Sequence, residues 1–323
     1  MRIGVGVETR DAAVTVLGVP VEAGAGQPGC LMGPAALRTA GAVERLRRLG
    51  LAVEDEGDLA PLEGPEESLG HARNATTVAA WTRALSERAY QLAGGERTPV
   101  FLGGDHSLAM GSINGVARRF ADQNRPLYVL WLDAHADFNT PATSPSGNLH
   151  GMPLAYLCGE PGLEPFAADV ARSLVPPDHV HILGARSIDA GERRLLAARG
   201  VHVVDMRQID EHGVSVPMRR ILGLVRAMGG VLHVSLDVDV LDPQIAPGVG
   251  TTVPGGLTYR EAHLIMELIH ESGLMGSLDV VELNPFLDER GRSACVLAEL
   301  VASAFGQSVI ERATTAGWAL PSR

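Results

Sequence analysis

The chain has few cysteines, a deficit of positive charge and no long apolar run. Its three cysteines, Cys30, Cys158 and Cys295, are scattered without the paired spacing of a metal knuckle. An odd, sparse set argues against a disulfide framework and fits a reducing cytoplasm. No apolar stretch is long enough to span a bilayer. The start, "MRIGVGVETRDAAV", lacks a basic segment followed by a long apolar one, so no signal peptide is expected. Only 27 basic residues stand against 38 acidic ones, a formal charge of −11. That balance argues against nucleic acid or an anionic membrane as a partner.

Apolar residues are plentiful, 46% of the 323, so a large core can be built. Short Val-rich runs read as strands: 14–19, 99–104, 127–134, 180–186, 201–205, 231–239 and 276–284. Between them lie amphipathic segments such as "TTVAAWTRALSERAYQLAG", "VSVPMRRILGLVRAMGG" and "TYREAHLIMELIHESG", several ending in Gly, a common helix stop. This alternation predicts a three-layer α/β/α domain around a mainly parallel sheet. The acidic, Gly/Pro-bearing stretch 54–74 reads as a surface loop rather than a linker, because the rhythm resumes after it. One domain over 1–323 is expected.

Ligands of open α/β sheets gather beyond the carboxyl ends of the strands. Four strands here run into polar residues at that end. "PVFLGGDHS" delivers Asp105 and His106. "LYVLWLDAHADFN" delivers Asp133, His135, Asp137 and Asn139. "VLHVSLDVDVLDP" delivers Asp237 and Asp239, and "GSLDVVELNP" delivers Asp279, Glu282 and Asn284. In extended backbone, side chains two apart share a face, so Asp133, His135 and Asp137 can converge. Taken singly, each cluster reads as a turn, a cap or a solvated loop. Together, two His and four Asp on three strand ends point to a metal site, since buried carboxylates without a cation are very costly. Six ligands exceed the need of one tetrahedral ion, so the site reads as binuclear. Oxygen-rich donors favour Mn²⁺, Mg²⁺ or Fe²⁺ over thiolate-bound zinc.

The blocks "GGDHS" (103–107), "DAHADFNTPATSPSGNLHG" (133–151), "SLDVDVLDP" (235–243) and "DVVELNP" (279–285) resemble the signature blocks of the ureohydrolases, the arginase/agmatinase family. The likeness takes in 24–41, 183–192 and 250–262 as well, and so covers most of the chain. It is greatest to the arginase branch. The resemblance implies one manganese held by His106, Asp133, Asp137 and Asp237. A second would be held by His135, Asp133, Asp237 and Asp239. It implies hydrolysis of the guanidinium of L-arginine to L-ornithine and urea. Asp137 would hold the attacking hydroxide and pass a proton to the leaving nitrogen. Glu282 would pair with the guanidinium, and His150 would shuttle protons. Asn139, Ser146 and Asp189 would face the amino-acid end, supported by Asn148, Glu192 and Thr251. Asp105 has no such role and reads as a structural hydrogen-bonding residue. Pro145, just before Ser146, is a departure that bears on fine selectivity. Agmatine, guanidinobutyrate or an N-hydroxylated arginine are the neighbouring substrates, and family members are commonly trimers or hexamers. A metal-binding or arginine-sensing protein without turnover is the reading of a different class, and retention of His150 and Glu282 speaks against it.

Overall fold

The computed structural model describes residues 13–308. Eight strands form one sheet: β1 (Ala13–Val19), β2 (Ala52–Asp58), β3 (Arg97–Gly103), β4 (Leu127–Leu132), β5 (Val180–Ala185), β6 (His202–Asp205), β7 (Val231–Asp237) and β8 (Met275–Val281). Their order is β2-β1-β3-β8-β7-β4-β5-β6, and every pairing is parallel. A parallel sheet needs crossover helices on its faces, so its inner strands are buried on both sides. This is why "LYVLWL" is an unbroken apolar run and "VHILGA" is interrupted only by His181: every residue of β4 and β5 is buried.

Helices α1 (Gly33–Thr39), α2 (Ala42–Arg48), α7 (Met206–His212), α8 (Ser215–Ala227), α9 (Tyr259–Ser272) and α10 (Arg292–Ala304) cover one face. Leu37, Leu46, Ile209, Met218, Ile265 and Leu297 are their buried contributions. The other face carries α3 (Ala75–Leu92), α4 (Ala109–Asp122), α5 (Pro153–Cys158) and α6 (Ala190–Arg199), through Leu85, Ile113, Tyr156 and Leu196 among others. Among the described residues no helix is long and apolar enough to cross a membrane.

The structure corrects the expected elements in three places. Residues 54–58, expected in a loop, belong to β2. It is an edge strand, mostly exposed, so its acidic side chains stand in water and hide its period. Arg38 answers two of them, pairing with both oxygens of Asp55 at 2.9 Å and with Asp58 Oδ1 at 2.5 Å. The amphipathic segment "GPAALRTAGAVERLRRLG" (33–50), one helix by its pattern, breaks at Gly41 in the left-handed region (φ 87°). Helix α4 is not among the amphipathic segments read from the sequence; ten of its fourteen residues are buried, small and polar Gly111, Ser112, Asn114 and Gly115 among them. The stretch "CVLAELVASAFGQSVIERATT" (295–315) reads as an apolar C-terminal helix, and its part beyond 308 lies outside the described residues.

Candidate active site

The sheet order places the ends of β3, β8, β7 and β4 side by side, and these are the four strands whose ends carry the polar clusters. At three of them the chain turns by the same local device. Asp105, Asp133 and Asp237 each accept, through Oδ1, the backbone N–H two residues on, at 2.9, 2.6 and 2.8 Å. Asp and Asn favour such side-chain-closed turns. The strand alternation expected from the sequence is therefore not what gathers the ligands. Strand β4 stops at Leu132, and Asp137 sits with φ 47° in the left-handed region.

The six expected ligands come together. His106 Nδ1 lies 3.2 Å from Asp133 Oδ2, 3.2 Å from Asp137 Oδ2 and 3.1 Å from Asp237 Oδ2. His135 Nδ1 lies 3.0 Å from Asp239 Oδ2 and 3.4 Å from Asp133 Oδ1. Two groups thus meet the reach of a metal ion, His106–Asp133–Asp137 and Asp133–His135–Asp239, and Asp133 belongs to both. Their surroundings hold them in place. His106 Nε2 meets Ser235 Oγ at 2.8 Å, which leaves Nδ1 for the site, and its ring stacks on Trp131 at 3.9 Å. Trp131 Nε1 donates to Asp133 Oδ2 (2.9 Å), and the backbone N–H of Ala134 donates to Asp239 Oδ1 (3.0 Å).

The charge of the cluster asks for a cation. Four carboxylates are buried within contact of two imidazoles. The chain contains no lysine, and among the described residues no arginine side chain hydrogen-bonds to the four. The nearby Arg186 spends its guanidinium on carbonyl oxygens, Asp239 O at 2.6 Å and Val253 O at 2.7 Å among them. The donor set therefore fits a divalent metal. Without one, protons do the balancing. Burial opposes charge on His135, but the Asp133 and Asp239 carboxylates, which accept its N–H, outweigh it and lift the imidazole to about 12. Burial, reinforced by Asp133, pushes Asp137 up to about 6.

A stability prediction follows from those directions. An acid whose folded pKa (about 6) exceeds its ordinary value of 3.8 loses folded-state stability as pH rises through that window. Raised imidazoles act in the same direction above 6.5. A chelated sample is therefore expected to have a lower Tm than the metal-loaded one, and to fall further behind at pH 8 than at pH 5. Thermal unfolding of both samples at the two pH values checks this. Equal gaps would contradict the account.

Beside the ligands lies a cavity of about 260 Å³. His135, Asp137 and Asp237 stand at its ligand end, with His150, Glu282 and Thr251. Asn139, Ser146, Asp189 and Glu192 line it too. Glu282 is buried with φ 64°. Its Oε1 accepts the His106 N–H at 2.7 Å and meets His150 Nδ1 at 2.8 Å. Burial works against charge on His150, but the Glu282 carboxylate overrides it and raises the imidazole to about 9.

The chain also matches known proteins. The model of the arginase family matches residues 12–306. The chain belongs to the arginase family. It is 53% identical over 306 residues to the arginase of Agrobacterium fabrum, covering 93% of each chain. To the arginase of Brucella melitensis it is 54% identical over 301 residues, 93% of this chain and 98% of that one. The solved structure of the arginase from Bacillus caldovelox superposes with a TM-score of 0.84 at 40% identity, covering 93% of this chain and all of the other. Membership makes the chain an enzyme, a hydrolase.

Asn139 Nδ2 donates to Asp189 Oδ2 at 3.1 Å, and Ser146 Oγ accepts the Asn148 N–H at 3.2 Å. Glu192 clamps two loops, taking the N–H of Phe138 at 2.8 Å and of Asp189 at 3.2 Å. Burial raises its carboxyl to about 7. Thr251 Oγ1 donates to Asp239 Oδ2 at 3.1 Å. Asn148 does not line this cavity; it lines a neighbouring one. Asp105 is buried and accepts the N–H groups of Gly24 (2.8 Å) and Ala25 (3.1 Å), tying an early loop to the end of β3. The sequence reading missed Ser235, Trp131 and Cys30. Ser235 shares its strand face with Asp237, so period two could have found it. Cys30, 3.8 Å from Glu282 Oε2, carries no sequence signal.

Proposed function

We propose that the chain hydrolyses L-arginine to L-ornithine and urea with two manganese ions. The observation that carries this is the pair of His/Asp groups sharing Asp133, beside a cavity that ends at Glu282. His106, Asp133, Asp137 and Asp237 would hold one ion. His135, Asp133, Asp237 and Asp239 would hold the other. When bound, such a pair makes water acidic enough to supply the nucleophile near neutral pH. Four carboxylates against two dications leave little net charge, so a guanidinium is not repelled.

The chain's own groups do the rest. Glu282 has its Oε1 committed to His106 and His150, while Oε2 has, among the described residues, only the Cys30 thiol as a hydrogen-bond partner. That oxygen pairs with the guanidinium and orients it. Asp137 carries a proton toward the leaving nitrogen. His150 exchanges protons between this site and bulk water. Asn139 and the Ser146 hydroxyl donate to the α-carboxylate, and Asp189 accepts from the α-ammonium. We place this single catalytic domain, spanning 1–323, in the cytoplasm, where free Cys30, Cys158 and Cys295 are at home, and expect a homo-oligomer, a trimer or hexamer.

Urea release from a panel of guanidines, with manganese supplied, tests the reading. Faster hydrolysis of agmatine, guanidinobutyrate or N-hydroxyarginine than of arginine would move the chain to another ureohydrolase activity. No urea from any of them would leave a binding or sensing protein. His150→Ala is expected to lower turnover about 100-fold or more, the range of a lost general acid–base group, and to keep its metal. Added imidazole should restore part of the rate. Metal loss in that variant would overturn the assignment.

A further inference from the structure

A second cavity, of about 240 Å³, adjoins the first at the Glu282–His150 pair. Cys30 and Glu282, both buried, line its inner end, and the exposed Gly26 and Gln27 line its outer end. It therefore runs from solvent to the carboxylate. The first cavity reaches the same pair from the side of Ser146 and Asp189, also exposed. His150, Thr251 and Glu282 line both. Two openings thus meet at one wall.

The loop that borders the second cavity is fastened down. Gly29 has φ 130°, and a Cβ there would fall 2.1 Å from Asn284 Oδ1. Its N–H donates to Glu22 Oε2 at 2.8 Å, and Asn284 Nδ2 donates to Pro28 O at 2.9 Å. The cavity is a built feature of the strand ends.

On the arginine reading, hydrolysis leaves two products of unlike size. Ornithine keeps the amino-acid end and fills the first cavity. Urea forms at Glu282, behind it. We propose that urea leaves, and the next water enters, through the second cavity. This rests on the arginine reading. The space suits the cargo: liquid water takes about 30 Å³ per molecule, so several small molecules fit. Urea offers one carbonyl acceptor and four N–H donors, and the carboxamides of Gln27 and Asn148, both lining this cavity, offer the complementary set. The same opening gives His150 a way to bulk water while the amino acid still blocks the other.

Two variants of the metal-loaded full chain test this. A Cβ on Gly250 would stand in ordinary contact with the Gln27 side chain, 3.7 Å at the nearest, so Gly250→Leu fills the passage. Gln27 lines the second cavity and not the first, so Gln27→Trp obstructs the exposed mouth of the second. In each, steady-state kcat for arginine is expected to fall about tenfold, because product release becomes limiting. Metal content and the single-turnover rate of urea formation, read by rapid quench, should stay within twofold, so a burst of one urea per site appears. Wild-type steady-state rates in both variants would overturn the port. So would a fall in single turnover as large as that in kcat, since the wall would then belong to the chemistry. Wild-type chain that releases no urea from arginine would instead overturn the arginine reading itself, and the port with it.

Discussion

Asp133→Ala is expected to lose most of the bound metal and nearly all of the activity. Asp133 is the residue common to both His/Asp groups. Its Oδ2 lies 3.2 Å from His106 Nδ1 and its Oδ1 3.4 Å from His135 Nδ1. It also closes the turn after β4 by accepting the His135 N–H, and it takes the Trp131 indole N–H. Truncation thus removes a donor from two sites and loosens His135 as well. Replacing a group that merely orients a ligand typically costs about 10–100-fold in metal affinity or activity; loss of a shared donor should exceed that. Elemental analysis of manganese-reconstituted protein should give two ions per wild-type chain and fewer than one in Asp133→Ala. His106→Ala, with a ligand of one group only, should mainly weaken one ion. A single tightly held ion at saturation in the wild type would overturn the binuclear reading, and an Asp133→Ala chain with full metal would overturn the shared role.

L-Arginine is expected to exceed agmatine in kcat/KM by at least about 100-fold. The two share the guanidinium and the spacer and differ in the α-carboxylate. Neither the metal ligands nor Glu282 can tell them apart, so the far end of the cavity must. Asn139, Ser146 and Asp189 line that cavity. Asn139 is already oriented by Asp189 at 3.1 Å and by the Thr143 hydroxyl, which donates to its Oδ1 at 2.8 Å. A site arranged to hydrogen-bond a group rejects an analogue without it, because its own polar groups go unpaired. D-Arginine should fail, since its amine and carboxylate exchange places. Asp189→Ala should raise the KM for arginine and narrow the gap to agmatine. Parity between the substrates in the wild type would end the arginase assignment and leave the wider ureohydrolase one standing.

Much of the site was legible before the fold. His106, Asp133, His135, Asp137, Asp237 and Asp239 each stand just past an apolar run, and runs of that length ending in acid are a local pattern. The strand–helix alternation and the helix ends at Gly200 and Gly273, both in the left-handed region, are local too. They depend on neighbours a few residues away, which is the range over which propensity and period carry information.

Only the tertiary structure decided how these pieces meet. The order β3-β8-β7-β4 brings His106 to Asp237, 131 residues on, and to Glu282, 176 residues on. Nothing in either segment names the other, because strand adjacency is set by how the crossover helices pack. The turns that aim the ligands, with Asp137 and Glu282 in left-handed backbone, are stabilised by contacts from other strands. The same holds for the wall between the two cavities. Asn148 and Ser146 are two residues apart in sequence, yet they line different cavities. Residue types and spacing determined which groups can do chemistry here; the packing of eight parallel strands determined which cavity each one lines.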